Sequence, residues 1–223
     1  MVLLVFSASS ASADTITSLS LATSQQAGDE WSIFYSGSTA GATYDYMDSY
    51  QNGWSSQPKV YSHNSQWVSP PAGTGWITPV SGGATANVPG GLYAFRIGVG
   101  AYNAGETWTL FGEFAADNNF VSAFLVGTDG SHERISGMPN NASYTSLARL
   151  SAEGIGITGL MDGTIYDLVM FVNNAGSSPQ GFYSNLELVK VAPPPAPIPE
   201  PATLAILGLG LAGLGLARRR MKK

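Results

Sequence analysis

The stretch from Trp31 to Trp76 combines aromatic side chains with small polar ones. It holds four of the chain's five tryptophans and five tyrosines, set among Ser, Asn, Gln and Gly. Aromatic faces against the C–H surfaces of a sugar, surrounded by amides and hydroxyls, are what recognition of a neutral polysaccharide requires. Trp31 and Trp76 have strand-like neighbours and are predicted to be core. Trp54 and Trp67 lie in loops rich in Gly, Ser, Asn and Pro, and we predict that they form a stacking platform; the alternative is that every Trp is structural.

The polar residues Asp117 and Asn118 complete the predicted ligand-binding set, which is Trp54, Trp67, Asp117 and Asn118. Together with Asn119 they offer oxygen atoms that suit Ca²⁺, although a simple Asn–Asn turn explains the same residues. We therefore predict sugar contacts here and no metal.

Groups typical of catalysis are few. His63 and His132 lie in separate predicted loops without an HExxH spacing, and no nucleophile elbow, phosphate-binding loop or dinucleotide-binding glycine pattern occurs in a strand-to-helix context. We expect no enzyme activity and no cofactor. A glycoside hydrolase is the less favoured alternative, because paired carboxylates can meet in space. The residues available for such a pair are Asp45, Asp48, Glu106, Glu113, Asp117 and Glu133.

The elements that must position these residues are strands. In Gly91–Val99 and Thr107–Phe114 the large apolar residues recur at alternate positions and so share one face, as in half-buried strands. Ile165–Val172 is apolar on both faces apart from one carboxylate, which predicts a central strand, and Phe182–Val191 supplies the last strand. Leu147–Gly154 is the one short candidate helix. With no fixed-period repeat, the pattern predicts an all-β fold, a single β-sandwich of jelly-roll type.

Length and composition indicate one acidic domain without disulfide bonds. Residues 14–191 are enough for one domain with a proper core, and the absence of cysteine means that packing alone must hold it. The formal net charge of −5 becomes −9 for the domain once the five C-terminal cations and Glu200 are set aside. A surface this acidic argues against nucleic acid as a partner.

The C-terminal residues resemble a membrane segment. Residues 192–199 hold five prolines, which favour an extended linker of roughly 25 Å. Ala202–Ala217 is apolar and, as a helix, reaches roughly 24 Å, a little short of a bilayer core. Five cations follow it and place the C-terminus in the cytoplasm by the positive-inside rule. We therefore predict a C-terminal transmembrane helix within residues 200–223; the alternative is a buried helix of a soluble domain.

The triplet Pro199-Glu200-Pro201, the apolar run and the Arg218-Arg219-Arg220 cluster resemble the PEP-CTERM sorting signal, which exosortases recognise in the membrane. The resemblance covers roughly the last 25 residues, with all three parts in order. It implies anchoring in the inner membrane, cleavage near the triplet by an exosortase, and release or transfer to the cell surface in bacteria that secrete exopolysaccharide.

Residues 1–13 resemble the second half of a secretory signal peptide, with an A-x-A-type cleavage site before Asp14. The basic n-region is missing, so we interpret this segment as a truncated signal. An ordinary first strand is the alternative.

A second resemblance lies in the domain. Gly112–Asn118, Ala123–Gly127 and Tyr166–Gly176 look like parts of the galactose-binding-like jelly-roll domains that often accompany PEP-CTERM signals. It covers roughly Trp76 to Val191. The family's usual Asn-Gly hairpin is replaced here by Val126-Gly127, so the resemblance supports the fold better than the ligand site.

The combined expectation is an exported, exosortase-processed surface or exopolysaccharide-matrix protein that binds carbohydrate without catalysis. A purely structural coat or matrix protein is the alternative. The expected partners are the exosortase, the inner membrane until processing, and exopolysaccharide.

Overall fold

A computed structural model describes residues 15–24, 30–37, 54–80, 86–194, 207–212, 214 and 218. The chain divides into two units: Asp14–Pro193, and the two terminal segments Met1–Ala13 with Pro194–Lys223.

The unit Asp14–Pro193 is built from antiparallel strands in two sheets, as the predicted β-sandwich requires. The strands are β1 (Ile16–Ser20), β2 (Ser32–Tyr35), β3 (Ser55–Gln57), β4 (Val60–Tyr61), β5 (Ile77–Thr78), β6 (Gly91–Ala101), β7 (Thr107–Asp117), β8 (Asn119–Gly127), β9 (His132–Arg134), β10 (Ala148–Arg149), β11 (Ile155–Ile157), β12 (Ile165–Asn174) and β13 (Gly181–Val191).

The seven-stranded sheet has the order β10-β7-β13-β5-β4, with β1 on β13 and β11 on β7. Its centre is the pairing of β7 with β13, which runs from Gly181 opposite Asp117 to Val191 opposite Thr107. β1 follows β13 closely, since Ile16 pairs with Val191 and the Ala192 N–H donates to the Thr15 carbonyl at 3.0 Å. The chain therefore enters and leaves this unit at the same end.

The six-stranded sheet has the order β3-β2-β6-β12-β8-β9. β12 lies between β6 and β8, which confirms the central strand predicted from Ile165–Val172. Its residues from Leu168 to Val172 are buried, because one side faces the other sheet and the other side is covered by aromatic residues.

The core lies between the sheets. Phe95 of β6 stacks on Phe182 of β13 with ring centroids 4.8 Å apart, and Trp31 packs on the same Phe182 at 5.1 Å. Trp108 and Phe114 point inward from β7 and are fully buried, as the alternation predicts. Trp31 and Trp76 are 2% and 1% exposed, which confirms both as buried residues.

The chain changes sheet between β7 and β8. Asp117 ends one strand and Asn119 begins the other, so Asn118 alone forms the corner. The peptide bond Asp117–Asn118 is cis.

The helix predicted for Leu147–Gly154 is wrong. Ala148 and Arg149 form β10, opposite Phe114 and Glu113 of β7, and the chain turns at Gly154, where φ is +72°. Pairing with the long strand β7 satisfies backbone groups that a helix of two turns would leave open at both ends.

Residues 207–212 are helical, and they are the largest described part of the predicted span Ala202–Ala217. Within the described residues, no helix has the length and apolar character needed to cross a bilayer. Most of the predicted signal, including Pro199, Glu200, Pro201, Arg219 and Arg220, lies outside the described residues.

Candidate functional site

Tryptophans from the polar segment cover the outer faces of both sheets. Trp67 and Trp76 pack over Ala115 and Tyr183 on the seven-stranded sheet. Trp54 packs over Phe171 on the six-stranded sheet, with ring centroids 5.6 Å apart. The predicted platform of Trp54 and Trp67 is therefore wrong, because the two side chains lie on opposite faces of the sandwich.

Trp67 is a structural residue. It is 4% exposed, its ring lies 4.5 Å from that of Trp76, and its indole N–H donates to Asp117 Oδ2 at 2.8 Å. Gly181 packs directly against the same ring, since a Cβ there would lie 2.6 Å from it. The side chain has no face left for a sugar, so its assignment as a ligand contact is corrected.

Asp117 and Asn118 hold the corner between the sheets. Asn118 donates to Asp117 Oδ1 at 2.6 Å, and its own Oδ1 accepts the Ala175 N–H at 2.9 Å. Asp117 is 4% exposed, and this burial raises the pKa of its carboxyl above the ordinary range, although the hydrogen bonds from Trp67 and Asn118 act in the opposite direction. Both side chains thus form hydrogen bonds within the protein, and neither residue lines the pocket beside Trp54 that is described next.

A pocket of about 580 Å³ opens beside Trp54 on the outer face of the six-stranded sheet. The residues lining it come from β2, the position before β3, β6, the end of β8 with the turn that follows it, and β12: Phe34, Trp54, Arg96, Val126, Gly127, Thr128, Gly130 and Asp167. The volume is within the range of small-molecule sites. Of the four residues predicted to bind ligand, only Trp54 is in this pocket.

Strand alternation places the pocket's side chains. Ile33, Phe95 and Leu168 point into the core, so their neighbours Phe34, Arg96 and Asp167 must point outward. The register places Asp167 opposite Val126 of β8 and opposite Gly98 of β6, with an irregularity between Tyr166 and Asp167. Bulges of this kind commonly redirect side chains beside functional sites.

The pocket joins aromatic and charged groups. The guanidinium of Arg96 lies 4.6 Å from the centre of the Phe34 ring, a cation–π contact. Arg96 Nε is also 3.6 Å from Asp167 Oδ2, an ion pair too long for a normal hydrogen bond. The arrangement offers a ring surface and both signs of charge within one concave site.

Sequence reasoning missed Phe34, Arg96, Thr128 and Asp167. A signal was present for two of them, because Arg96 is the one charge in Gly91–Val99 and Asp167 is the one charge in Ile165–Val172. A charge inside an otherwise apolar strand marks a position that faces solvent or a ligand. That these two charges meet depends on strand register, which the sequence does not reveal.

The remaining titratable candidates have structural partners or lie apart. Glu113 pairs with Arg149 at 2.9 Å. Burial opposes ionisation of Glu106, but hydrogen bonds donated by Asn103 and Trp108 hold the pKa of Glu106 below its ordinary value. Asp45 and Asp48 lie outside the described residues. Among the residues that are described, no three His, Cys, Asp or Glu side chains group as metal ligands.

Residues 197–220 match the family model of the PEP-CTERM protein-sorting motif. The chain carries this motif, which confirms the resemblance of its C-terminus. The matched range includes the triplet at 199–201 and the arginines at 218–220. The motif indicates export, membrane anchoring at the C-terminus before processing, and an exosortase as the processing partner.

No curated protein matches the sequence. Two similar solved structures are those of infectious bursal disease virus, Gx strain and Gt strain. Both are 11% identical with a TM-score of 0.28; the matches cover 85% and 80% of this chain and 54% and 53% of the viral chains. The chain thus spans about half the length of those chains, and a similarity this low supports no functional argument. The resemblance to galactose-binding-like domains stays a prediction.

The raised pKa of Asp117 predicts how Asp117→Asn changes the pH dependence of stability. A carboxyl whose pKa is higher in the folded than in the unfolded state stabilises the folded state most at low pH. This stabilisation falls as the pH rises from the pKa of the unfolded state, about 3.9, through the pKa of the folded state. The unfolding free energy of the wild type, relative to Asp117→Asn, should therefore decrease as pH rises through that window and then stay constant. Urea unfolding of both proteins between about pH 3 and pH 7 measures it.

Asp129→Asn is the matched control, with the opposite sign. Hydrogen bonds from Ser131 lower the pKa of Asp129, so its contribution is present above the unfolded pKa and lost as pH falls through the folded pKa. If the wild type instead gained stability over Asp117→Asn with rising pH, Asp117 would be held as an anion and the account of the corner would be wrong.

Proposed function

We propose that this protein is an exported, exosortase-processed surface or exopolysaccharide-matrix protein that binds neutral carbohydrate without catalysis, in the pocket beside Trp54. The observation that carries the proposal is the meeting of Trp54 and Phe34 with Arg96 and Asp167 in one pocket of about 580 Å³. Aromatic rings stack on sugar C–H faces, and a few polar groups beside them fix the hydroxyls.

The pocket's chemistry supports binding over hydrolysis. Glycoside hydrolysis normally uses two carboxyl groups, about 5 to 9.5 Å apart across the bond that breaks. Among the described lining residues, Asp167 is the one carboxylate, and it is paired with Arg96. We therefore propose a binding role and assign no catalytic residue or cofactor.

A structural coat protein without a specific ligand is the second candidate. This candidate is favoured by the burial of Trp67 and Trp76, because these two tryptophans of the polar segment have a structural role. The two functions differ in one observable, which is whether Trp54 contributes to ligand binding or only to stability.

The proposed route follows the sorting motif. The signal at residues 1–13 directs the chain to export, and the tail at 200–223 holds it in the inner membrane with its C-terminus in the cytoplasm. The linker at 192–199 separates the domain from the headgroups and presents Glu200 to the exosortase. After cleavage the domain joins the cell surface or the extracellular matrix, where exopolysaccharide is the proposed ligand.

Replacing Trp54 by Ala should weaken binding of a neutral oligosaccharide by about 1 to 3 kcal/mol, a magnitude taken from nucleobase stacking on aromatic side chains. The measurement is titration calorimetry with ligands chosen from a glycan array. Tyr144→Ala is the matched control, because Tyr144 is an aromatic residue with 36% exposure that does not line the pocket. Unchanged affinity in Trp54→Ala, in a protein that binds glycan, would exclude the Trp54 site.

Processing should be visible at the C-terminus. In a host with an exosortase, extracellular protein should lack the residues after about Pro201, and deletion of the exosortase should leave the full-length chain in the inner membrane. Mass spectrometry of the extracellular protein measures this. An intact terminus at Arg218–Lys223 on extracellular protein would show that the tail is not used for sorting.

A further inference from the structure

The pocket holds polar side chains that make no hydrogen bond to the residues that the structure describes. The side chains of Arg96 and Asp167 are 40% and 34% exposed, and their closest approach is 3.6 Å. Within the described part of the chain, neither side chain makes a hydrogen bond, and the hydroxyl of Thr128 on the pocket wall makes none either. The pocket thus presents both hydrogen-bond donors and hydrogen-bond acceptors to a ligand.

The contact between Arg96 and Phe34 restricts where those donors lie. The guanidinium is held over the Phe34 ring, 4.6 Å from the ring centre. It carries five N–H donors in a rigid planar fork, and none of them makes a hydrogen bond within the described part of the chain. The carboxylate of Asp167, on the adjacent strand β12, offers only acceptors.

We infer that Arg96 and Asp167 together select a neutral sugar unit with two adjacent hydroxyl groups and discriminate against carboxylated sugars; this rests on the proposed carbohydrate binding. One hydroxyl oxygen accepts a hydrogen bond from Arg96, and the neighbouring hydroxyl donates one to Asp167. A hydroxyl can do both, so a vicinal diol satisfies both side chains at once.

A sugar carboxylate cannot satisfy the pair in this way. Placed against the pair, the carboxylate offers acceptors to Arg96 but no donor to Asp167. When the uronate binds instead through its ring hydroxyls, its carboxylate still brings a like charge close to Asp167. The domain's net charge of −9 adds a weaker repulsion of the same sign. The selectivity for neutral sugars therefore depends on Asp167, and the affinity depends on both residues.

The test uses the full-length chain in detergent, with neutral oligosaccharides (glucans, galactans, mannans) and uronate oligomers (alginate, polygalacturonate) as probes. Asp167→Asn should lose roughly ten-fold or more in affinity for the neutral probe, and its ratio of uronate to neutral binding should rise. Arg96→Gln should lose a similar factor for the neutral probe without that rise. Arg149→Gln is the control, since Arg149 is an exposed arginine that pairs with Glu113 on the other sheet.

Two further measurements distinguish the possible outcomes. Thermal unfolding of each variant should match Arg149→Gln, because the pair is partly exposed. Wild-type binding of the neutral probe should change little with added salt, since hydrogen bonds to hydroxyls are screened far less than ion pairs. Strong salt dependence, or a wild type that prefers uronates, would overturn the inference.

The inference and the proposed function fail differently. If Trp54→Ala loses binding while Asp167→Asn and Arg96→Gln bind like Arg149→Gln, the pocket binds sugar and the inference is wrong. If the wild type binds no probe, the proposed function is wrong and the inference with it.

Discussion

The contact between the two sheets is the constraint on which the rest of the structure depends. The chain has no cysteine, so packing such as the stacking of Phe95 on Phe182 and the tilted contact of Trp31 with the same ring must hold an exported domain without disulfide bonds. Burial of large aromatic side chains is worth several kcal/mol each. Because the long strands commit one face to this contact, every side chain that alternates with the core must face outward, and function can reside only there or in loops.

The two outer faces are used differently. On the seven-stranded sheet, Trp67 and Trp76 seal the surface, and the hydrogen bond from Trp67 to Asp117 joins this cover to the corner where the chain changes sheet. On the six-stranded sheet, Trp54 covers Phe171 but leaves an open pocket beside it. Similar residues from one polar segment thus stabilise one face and create a candidate binding site on the other. The difference arises because only the six-stranded sheet places Arg96 and Asp167 in the same pocket as Trp54.

The sequence predicts the long strands well because their patterns are local: β6, β7, β12 and β13 all appear where alternation or continuous apolar character indicates them. The sorting motif is equally local and equally readable. The predictions that are wrong concern residues whose environment is set by partners distant in sequence. Trp54 and Trp67 have similar neighbours in sequence, and only the fold shows that Gly181 and Asp117 enclose Trp67. Likewise, the pairing of Ala148 with Phe114 turns a helix-like segment into a strand.

The proposed carbohydrate site is at Trp54 and not at any of the buried tryptophans. The five tryptophans give five indole N–H signals in a ¹⁵N-correlated NMR spectrum, and Trp54 is the one that lines the pocket. Titration with a neutral oligosaccharide should shift the Trp54 indole signal progressively to saturation and leave those of Trp31, Trp67, Trp76 and Trp108 in place. A saturating shift at Trp67 or Trp76 with none at Trp54, or no shift at any indole, would contradict the account.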